Sequence, residues 1–459
     1  MSGTHRAQNS KTTANPMTPL ERRAVSLLAS VYGFRILGLF LILPVFAVYA
    51  GRLRGHTPLL VGLALGIYGL SQAVLQIPSG LLSDRIGRKP VIILGLLLFA
   101  AGSALAALST SIYGVIAGRA LQGAGAISAA IMALAADLTR EEQRTKAMAV
   151  IGITIGAGFM LSMLLSPILN NAIGVRGIFW LTAILAFFAI AVVVLRVPTP
   201  ATLHRHRAPM EFGRLLADRG LLRLDSGIFT MHLVMTAMFV VLPPIIVHKA
   251  GLPLREHWKL YLPVMLLALV AMAPFVRARP GAKVRPKLAG AALALIGAEL
   301  IYRFFSHHLA GIAIGLWLFF TAFSVTESVL PSLVSRMAPI QNRGAAIGIY
   351  STSQFLGAFT GGIGGGFLAG RFGPATVFDV SAAVLVVWLM LSLMMSEPRL
   401  LTTHLCRMRR DVMSDPAIAS RLSSIAGVIE VVMVQEEGIA YLRVDPSSFN
   451  ERDLDSFRE

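Results

Sequence analysis

The chain has 459 residues, of which 55% are hydrophobic and only 14% are charged, and its formal net charge is +18. A soluble globular protein has about 25% charged residues, so this composition excludes an ordinary soluble domain. Apolar runs near 20 residues, each long enough to cross a bilayer as a helix, recur along most of the chain. The sequence therefore predicts an all-α polytopic membrane protein embedded in the lipid bilayer.

The basic residues lie in short segments between the apolar runs, where they set membrane topology, so we expect no nucleic-acid partner. The single cysteine, Cys406, excludes an internal disulfide and a cysteine-rich metal site. The sequence has no Walker A motif and no nucleophile paired with a base. We therefore predict that the protein is not an enzyme, is not driven by ATP, and has no cofactor or metal.

Twelve apolar runs are candidate membrane spans. They lie near 24–50, 58–79, 90–108, 111–138, 146–169, 177–195, 222–247, 259–276, 287–305, 309–333, 344–369 and 374–395. With the N-terminus in the cytoplasm, about 23 basic residues fall on the cytoplasmic side and about 8 on the other, which predicts that both termini are cytoplasmic. The predicted division is a tail (1–20), a first half (21–195), a linker (196–220), a second half (221–396) and a cytosolic domain (397–459).

The loop between the second and third spans concentrates charge. Its notable residues are Gly80, Asp84, Arg85, Gly87, Arg88 and Lys89. This Gly-x-x-x-Asp-Arg-x-Gly-Arg-Lys sequence resembles the signature loop of the major facilitator superfamily. The resemblance implies a twelve-helix fold of two six-helix halves that alternate access to a midplane site.

The same resemblance implies a latch on the cytoplasmic side that stabilises the outward-open state. In that latch Arg88 pairs with Asp137, and Asp84 meets the N-terminus of the eleventh span. The alternative for Asp137 is a simple helix cap. The matching loop of the second half, residues 276–285, has no aspartate, so a clasp there must be weaker or built differently.

The fourth span contains an arginine within Gly118-Arg119-Ala-Leu-Gln122-Gly123-Ala-Gly125. This stretch resembles the second motif of the superfamily, which implies a role in proton movement for Arg119. The glycines also predict close helix packing, at Gly123 and Gly125 here and at Gly152 and Gly156 in the fifth span. The fifth span only partly resembles the antiporter motif Gly-x-x-x-Gly-Pro, because Ala157 replaces the proline.

Several ionisable residues inside the spans are candidates for proton coupling or substrate binding. Arg35 and Arg119 can both face the central cavity, where buried cations require a carboxylate or an anionic substrate. The partner candidates are Asp225, His232 and Glu327. Glu327 is the preferred protonatable carboxylate. Asp225 fits an interfacial group better, and His232 is either a core histidine or a proton carrier.

A further carboxylate, Glu299, lies in the ninth span. We expect this span to be peripheral and Glu299 to pair locally with Arg303.

The last sixty residues are too polar for a bilayer and predict a small α+β domain. Its elements are a strand (Leu401–Met408), a helix (Asp415–Ile425), a hairpin (Val428–Val434 and Gly438–Val444) and a second helix (Ser448–Phe457). This β-α-β-β-α order is ferredoxin-like, and the hairpin sequence resembles the cytosolic domain of YajR-type transporters. We expect the domain to dock on the membrane region or to bind an unknown ligand, and not a metal.

The prediction for the whole chain is a proton-coupled secondary transporter of a bacterial inner membrane that exports a small molecule. The proton motive force would drive it. Uptake of an anionic metabolite is the alternative within the same fold. A membrane sensor that transports nothing, with the C-terminal domain as its output, is the alternative from a different class.

Overall fold

A computed structural model describes residues 16–199, 212–276, 283–339, 342–395, 402–408, 415, 417–434, 439–445, 448–455 and 457. Most of the predicted N-terminal tail, the centre of the linker and most of the loop predicted to match the signature in the second half lie outside these residues. The helices of the membrane region are α1 (Pro19–Phe40), α2 (Leu43–Ala50), α3 (Pro58–Ile86), α4 (Arg88–Leu108), α5 (Ile112–Ala124), α6 (Ser128–Asp137), α7 (Glu141–Leu195), α8 (Phe212–Ala217), α9 (Arg219–His248), α10 (His257–Val276), α11 (Val284–Phe305), α12 (Leu309–Met337), α13 (Arg343–Phe372) and α14 (Pro374–Leu393).

Ten segments of the described chain are long and apolar enough to cross a membrane. One of them contains α7, which bends at Gly174, where a φ of 67° is accessible to glycine at no steric cost. Counting α7 as two crossings and adding the 30-residue α13 gives the predicted twelve crossings in two groups of six. Two crossings are broken helices: α1 and α2 form the first, and α5 and α6 form the fourth.

Each of the two membrane faces is named after one residue that lies there. The Asp84 face holds Asp84 and Asp137 at the ends of α3 and α6. The Thr110 face is opposite, and there Arg54 donates a hydrogen bond to the Thr110 hydroxyl over 2.8 Å.

The two halves share a hydrophobic core near the Thr110 face and have separate cores near the Asp84 face. The shared core joins α2 to α9, with residues such as Phe46 and Leu242 in one cluster. Near the Asp84 face, a second cluster that includes Leu28, Ile131 and Val193 draws only on the first half. The core that joins the halves thus includes residues near the Thr110 face, whereas the Leu28 cluster near the Asp84 face does not extend into the second half.

Helices α3 and α13 close the Thr110 face by bringing their backbones together. A Cβ on Gly66 of α3 would lie 2.8 Å from the Phe359 carbonyl oxygen of α13, and glycines Gly62 and Gly362 face each other in the same way. Small residues allow this approach between membrane helices. The stripe of α3 glycines thus determines how tightly the Thr110 face can close.

Gly66→Ala is expected to destabilise this closed arrangement by about 1–3 kcal/mol, because a methyl group would have to displace backbone rather than a movable side chain. The measurement is the midpoint of thermal unfolding in detergent. Gly290→Ala on α11 is the control, since a Cβ there meets nothing within 4 Å. Equal midpoints for the two variants would contradict the assignment.

The C-terminal residues form a three-stranded antiparallel sheet of order β1-β3-β2, with strands β1 (Thr402–Arg407), β2 (Val428–Val434) and β3 (Ile439–Val444). Helix α15 (Ile418–Ser423) covers it, and Cys406, Leu422 and Leu442 are buried in its core. The order agrees with the ferredoxin-like prediction. The predicted second helix is shorter than expected: its described residues form only a 3₁₀ turn at Glu451–Leu454.

Candidate functional site

The signature loop forms an ion-pair cluster between the ends of three helices. Arg88 Nε lies 3.2 Å from Asp137 Oδ2, and Arg88 Nη1 also binds the Asp84 carboxylate. The same nitrogen donates to the Ser83 hydroxyl over 2.8 Å. Arg88 and Asp137 are 12% exposed, so the two charges stabilise each other away from bulk water. The predicted pairing of Arg88 with Asp137 is thus present in the structure.

Asp84 differs from the expectation. Within the described part of the chain its carboxylate binds Arg88, and it makes no hydrogen bond to α13. The contact of Asp84 with the eleventh span that the resemblance implies is thus not made among the described residues, and the observed ion-pair cluster lies within the first half.

The remaining loop residues have separate positions. Lys89 Nζ donates to the Val197 carbonyl, which ties α4 to the end of α7. Gly87 has a φ of 100° and joins α3 to α4 in a conformation that favours glycine. A Cβ on Gly80 would meet Ala129 of α6 at 3.3 Å, and Arg85 is exposed.

A second ion pair at the same face was missed by sequence reasoning. Glu21 of α1 accepts hydrogen bonds from the Arg140 backbone over 2.8 Å and from Arg140 Nε over 2.9 Å. Glu21 also closes a capping box with Thr18. The Thr-x-x-Glu spacing was available in the sequence as a capping signal, but Arg140 as its partner was not. This pair joins the start of α1 to the turn that follows Asp137.

In the first half, Arg35 is buried among neutral polar groups. It donates to Gln72 Oε1 over 2.5 Å and to Ser128 Oγ over 3.2 Å, and Gln72 donates in turn to Gln76 over 2.7 Å. Arg35 is 2% exposed. Its guanidinium also lies 5.8 Å from the ring centre of Tyr68, within the range of a cation–π contact.

Arg119 shares the Tyr68 ring with Arg35, at 5.1 Å. It donates to Gln122 Oε1 over 3.0 Å, and Gln122 donates to Ser103 over 2.7 Å. Two buried arginines thus lie on either side of one tyrosine, and among the described residues neither makes an ion pair with a carboxylate. The carboxylate partners considered from the sequence are not brought to either arginine.

The second half holds a histidine–carboxylate contact contributed by three helices. His232 Nε2 of α9 lies 3.3 Å from Glu327 Oε1 of α12 and 2.8 Å from the amide nitrogen of Gln354 on α13. Gln354 also lies 3.5 Å from Glu327 Oε1. The sequence predicted the histidine and the carboxylate but not Gln354. The sequence feature that could have indicated Gln354 is an unusually polar run, Ser351-Thr-Ser-Gln354, inside an otherwise apolar span.

The contact between His232 and Glu327 is shared with Gln354. His232 Nδ1 lies 3.2 Å from the Ile228 carbonyl, which can only accept, so Nδ1 carries a hydrogen. In neutral His232, Nε2 is then an acceptor, and the Gln354 amide nitrogen 2.8 Å away can donate to it. The same amide nitrogen lies 3.5 Å from Glu327 Oε1, so it can satisfy both acceptors when Glu327 is ionised. A proton on Glu327 would let the carboxyl itself donate to His232 Nε2.

Aromatic side chains close the space between the halves beside this contact. Phe159 of α7 stacks on Phe323 of α12 with ring centres 5.5 Å apart, and Phe323 lies 5.5 Å from His232. Tyr68 meets Phe355 of α13 at 6.3 Å. Glu327 itself is 30% exposed. The His232–Glu327 contact therefore lies beside aromatic side chains that come from both halves.

Arg119 and Glu327 do not meet directly. The contacts between them run from Arg119 to the Tyr68 ring, from Tyr68 to Phe355, and along α13 to the adjacent Gln354. Asp225 is buried on α9, two turns from His232, and lies within Coulombic range of Tyr350, which Glu327 also reaches. Asp225 is thus more buried than the interfacial position expected from the sequence.

The structure shows close packing at one of the two predicted pairs of glycines and not at the other. Gly123 packs against Tyr68 and Ser71 of α3, and Gly125 packs against Gly95 of α4. Gly152 and Gly156 have nothing within 4 Å of a built Cβ, so the packing predicted for them is not seen in this structure.

Glu299 also departs from its expected partner. Arg303 binds Asp379 of α14 over 3.0 Å rather than Glu299. Glu299 is fully buried, and neither of its carboxylate oxygens has a hydrogen-bond partner among the described residues. The local pairing predicted from their i, i+4 spacing is therefore wrong.

Comparisons with known proteins agree with this architecture. The family model of the Major Facilitator Superfamily matches residues 28–336. The chain is 43% identical over 447 residues to the inner membrane transport protein YajR of Escherichia coli strain K12, covering 96% of this chain and 98% of that protein. It is 27% identical to the multidrug resistance protein MdtH of Aeromonas salmonicida strain A449, covering 72% of this chain and 84% of that protein.

A solved structure has the same fold. A bacterial homologue of the human lysosomal transporter Spinster aligns with a TM-score of 0.67 at 13% identity, covering 82% of this chain and 96% of that one. The twelve crossings, the signature loop and these matches together lead to one conclusion. The chain belongs to the Major Facilitator Superfamily of membrane transporters.

Proposed function

We propose that the protein is a proton-coupled secondary transporter that exports a small molecule across a bacterial inner membrane by alternating access. The observation that carries the proposal is the contact of His232 with Glu327, an ionisable pair inside the membrane region whose carboxyl side chain is 30% exposed. The similarity to YajR, an inner membrane transport protein, supports an inner-membrane location, and the similarity to MdtH, a multidrug resistance protein, supports export. The proton motive force would supply the energy.

Coupling follows from the cost of burying charge. When the Asp84 face closes, Glu327 loses its remaining contact with the aqueous cavity. An ionised carboxylate without a partner costs several kcal/mol to desolvate, so closure requires either a proton or a substrate that neutralises it. A proton and a substrate that compete for Glu327 cannot cross in the same direction together. The result is exchange of one for the other.

The same reasoning defines a substrate class. A ligand that replaces the proton at Glu327 must be a cation or must donate a hydrogen bond. Phe159 and Phe323 lie beside the site and offer apolar faces to the rest of the molecule. We therefore propose an amphipathic substrate with a cationic or hydrogen-bond-donating group.

In this account the Asp84 face is cytoplasmic, as the distribution of basic residues favours. The latch then acts when that face closes, because Asp84 would reach the positive N-terminus of α13. Arg88 would keep Asp84 and Asp137 in position throughout the cycle. Arg119 would respond to Glu327 through Tyr68 and α13 rather than by contact.

A second candidate, uptake of an anionic metabolite, is favoured by a separate observation. Arg35 and Arg119 are buried cations whose partners among the described residues are neutral. An anionic substrate could neutralise them if the cavity reached Tyr68 in another state. This candidate predicts that substrate binding depends on Arg35 rather than on Glu327.

The test is proton movement in proteoliposomes that contain the wild-type protein and a pH-sensitive dye. Cationic and neutral drugs are added in one set, and small carboxylates in another. Proton flux out of acidic vesicles with the first set would support export by exchange, whereas flux with the second set alone would support anion transport. The absence of flux with any compound, from folded protein, would favour a sensor.

We also propose that the C-terminal sheet docks on the membrane region through Arg443. This residue of β3 donates to the Arg336 and Met337 carbonyls, the latter over 2.8 Å, and lies 3.2 Å from Glu430 of β2. A cation at the C-terminus of α12 satisfies carbonyls that have no partner within the helix. The sheet is thereby linked to the helix that carries Glu327.

Arg443→Ala is expected to release the C-terminal sheet to proteinase K roughly tenfold faster, since charge-assisted hydrogen bonds contribute about 1.5–3 kcal/mol. Cleavage is followed on gels of the detergent-solubilised protein. Arg421→Ala is the control: Arg421 is in the same sheet domain, but its described contacts, the Asp415 carboxylate and the Phe457 ring, lie within that domain rather than on α12. Equal cleavage of the two variants would show that Arg443 does not hold the domain in place.

A further inference from the structure

Three arginines line one cavity at the Thr110 face of the first half. Arg52 and Arg54 follow the end of α2, and Arg176 follows the bend of α7 at Gly174. The cavity has a volume of about 430 Å³, and its other lining residues are Tyr49, Leu53 and Thr110. The fold therefore brings basic side chains from two distant parts of the chain to one place.

Hydrogen bonds hold two of the guanidinium groups on neighbouring residues of the turn between α4 and α5. Arg54 Nη2 donates to the Thr110 hydroxyl over 2.8 Å. Arg176 Nη2 donates to the carbonyl of the adjacent Ser109 over 3.2 Å. The backbone of Arg54 is fixed to the same turn, because its N–H donates to the Thr110 carbonyl and its carbonyl accepts from Ile112, each over 3.1 Å. The positions of the two guanidinium groups are thus set by the protein.

The positive charge of this cavity has no counterpart in the segments that line it. Residues 41–57, 105–118 and 170–180 contain no aspartate or glutamate. The Arg52 side chain makes no hydrogen bond or ion pair with the described residues. Arginine stays charged at physiological pH, so guanidinium groups held close together repel one another. A bound anion would relieve this repulsion, and the N–H groups that bind no protein atom are available to it.

The cavity lies at the edge of the surface that faces lipid. Leu108 and Tyr113, on either side of the turn between α4 and α5, are 67% and 62% exposed. Trp180, one turn after Arg176 on α7, is 43% exposed. Exposed tyrosine and tryptophan side chains at the end of a membrane span lie at the level of the lipid headgroups. The phosphate groups of phospholipids lie at the same level, next to the three arginines.

We propose that Arg52, Arg54 and Arg176 form a phosphate-binding site at the Thr110 face, which takes the phosphate group of an anionic phospholipid or of a soluble phosphate. The planar guanidinium groups of Arg54 and Arg176 donate paired N–H groups to the phosphate oxygens, a geometry that arginine matches better than lysine. Arg52 adds a third positive charge. The site is separate from the His232–Glu327 contact, and the proposal does not rest on the proposed function.

The first arm of the test measures which lipid lies beside the cavity in vesicles that contain the full-length protein. A bimane label is placed on Leu108→Cys in a background that lacks Cys406, and it is quenched by phospholipids that carry a nitroxide on an acyl chain. With all three arginines present, phosphatidylglycerol is expected to quench more strongly than phosphatidylcholine at equal mole fraction. Arg54→Gln and Arg176→Gln are each expected to lower this preference about fivefold, the contribution of one basic residue near an anionic lipid surface.

The second arm titrates inorganic phosphate into the detergent-solubilised protein and follows binding by calorimetry. Binding that Arg54→Gln and Arg176→Gln weaken, without a preference for phosphatidylglycerol in the first arm, would support the site with a soluble phosphate as its ligand. Arg255→Gln is the control in both arms. It removes one base from the same face in the second half, where Arg255 pairs with Glu256.

Two results would overturn the proposal. One is that neither phosphatidylglycerol nor inorganic phosphate shows binding that Arg54→Gln and Arg176→Gln weaken. The other is that Arg255→Gln weakens the binding as much as they do, which would show a general effect of surface charge. Should Arg54→Gln fail to fold, Arg52→Gln takes its place, because the Arg52 side chain makes no bond to the described protein that its loss could break.

Discussion

Glu327→Gln is expected to lower proton-driven transport on the order of 100-fold, while exchange of substrate for substrate continues at saturating substrate because the amide oxygen still accepts a hydrogen bond from the substrate. The amide keeps the shape of a protonated carboxyl and can donate to His232, but it cannot release a proton at the Asp84 face. The cavity can then close without a proton, so a pH gradient no longer drives the cycle. The measurement compares accumulation of labelled substrate under a pH gradient with counterflow in vesicles without one.

The matched control is Asp379→Asn, which also removes one carboxylate from the second half. Asp379 of α14 is half exposed and pairs with Arg303 of α11. This pair includes neither His232 nor Glu327. This variant should retain both activities. Loss of counterflow even at saturating substrate, together with loss of proton-driven transport, in Glu327→Gln would contradict the account, because it would show that the fold or the whole substrate site is lost rather than the coupled proton alone.

Asp84→Asn is expected to shift the protein toward the state that is open at the Asp84 face, by roughly 30-fold in population, because a carboxylate at a partly buried helix N-terminus contributes up to about 2 kcal/mol. In the described state Asp84 contacts Arg88 alone, and Arg88 keeps Asp137 when that contact is lost. The substitution therefore destabilises the state that is closed at the Asp84 face more than the state that is open there. Transport should slow accordingly.

The measurement is the distance between spin labels on the two halves at the Asp84 face. Suitable sites are Val150→Cys on α7 and Ile347→Cys on α13, both partly exposed, in a background that lacks Cys406. Glu256→Gln is the control, since Glu256 is as exposed as Asp84 but lies at the opposite face. An unchanged distance distribution in Asp84→Asn would argue that the α13 contact is not part of the cycle.

The sequence was sufficient for the fold and for the parts of the site that depend on local spacing. Twelve apolar runs and the signature loop predicted the helices, and the loop spacing placed Arg88 where it could meet Asp137. Glycine periodicity in the fourth span predicted the contacts of Gly123 and Gly125. These features follow from helix geometry and from the burial of apolar faces, both of which a single sequence carries.

Features that depend on which helices pack against each other could not be predicted from the sequence. The choice of Asp379 over Glu299 by Arg303 depends on how α11 is rotated against α14. The place of Gln354 beside His232 depends on α13 crossing α9. The arrangement of the two halves could also not be predicted from the sequence, and whether Asp84, Gly152 and Gly156 make contacts depends on it.

The most direct test of the account is proton release on substrate binding, measured with a pH indicator in weakly buffered detergent solution. Wild type and Asp379→Asn are expected to release about one proton per protein molecule when substrate is added, and Glu327→Gln none, because substrate and proton compete for one carboxyl. Release of the same amount by Glu327→Gln would contradict the claim that the His232–Glu327 contact carries the coupled proton.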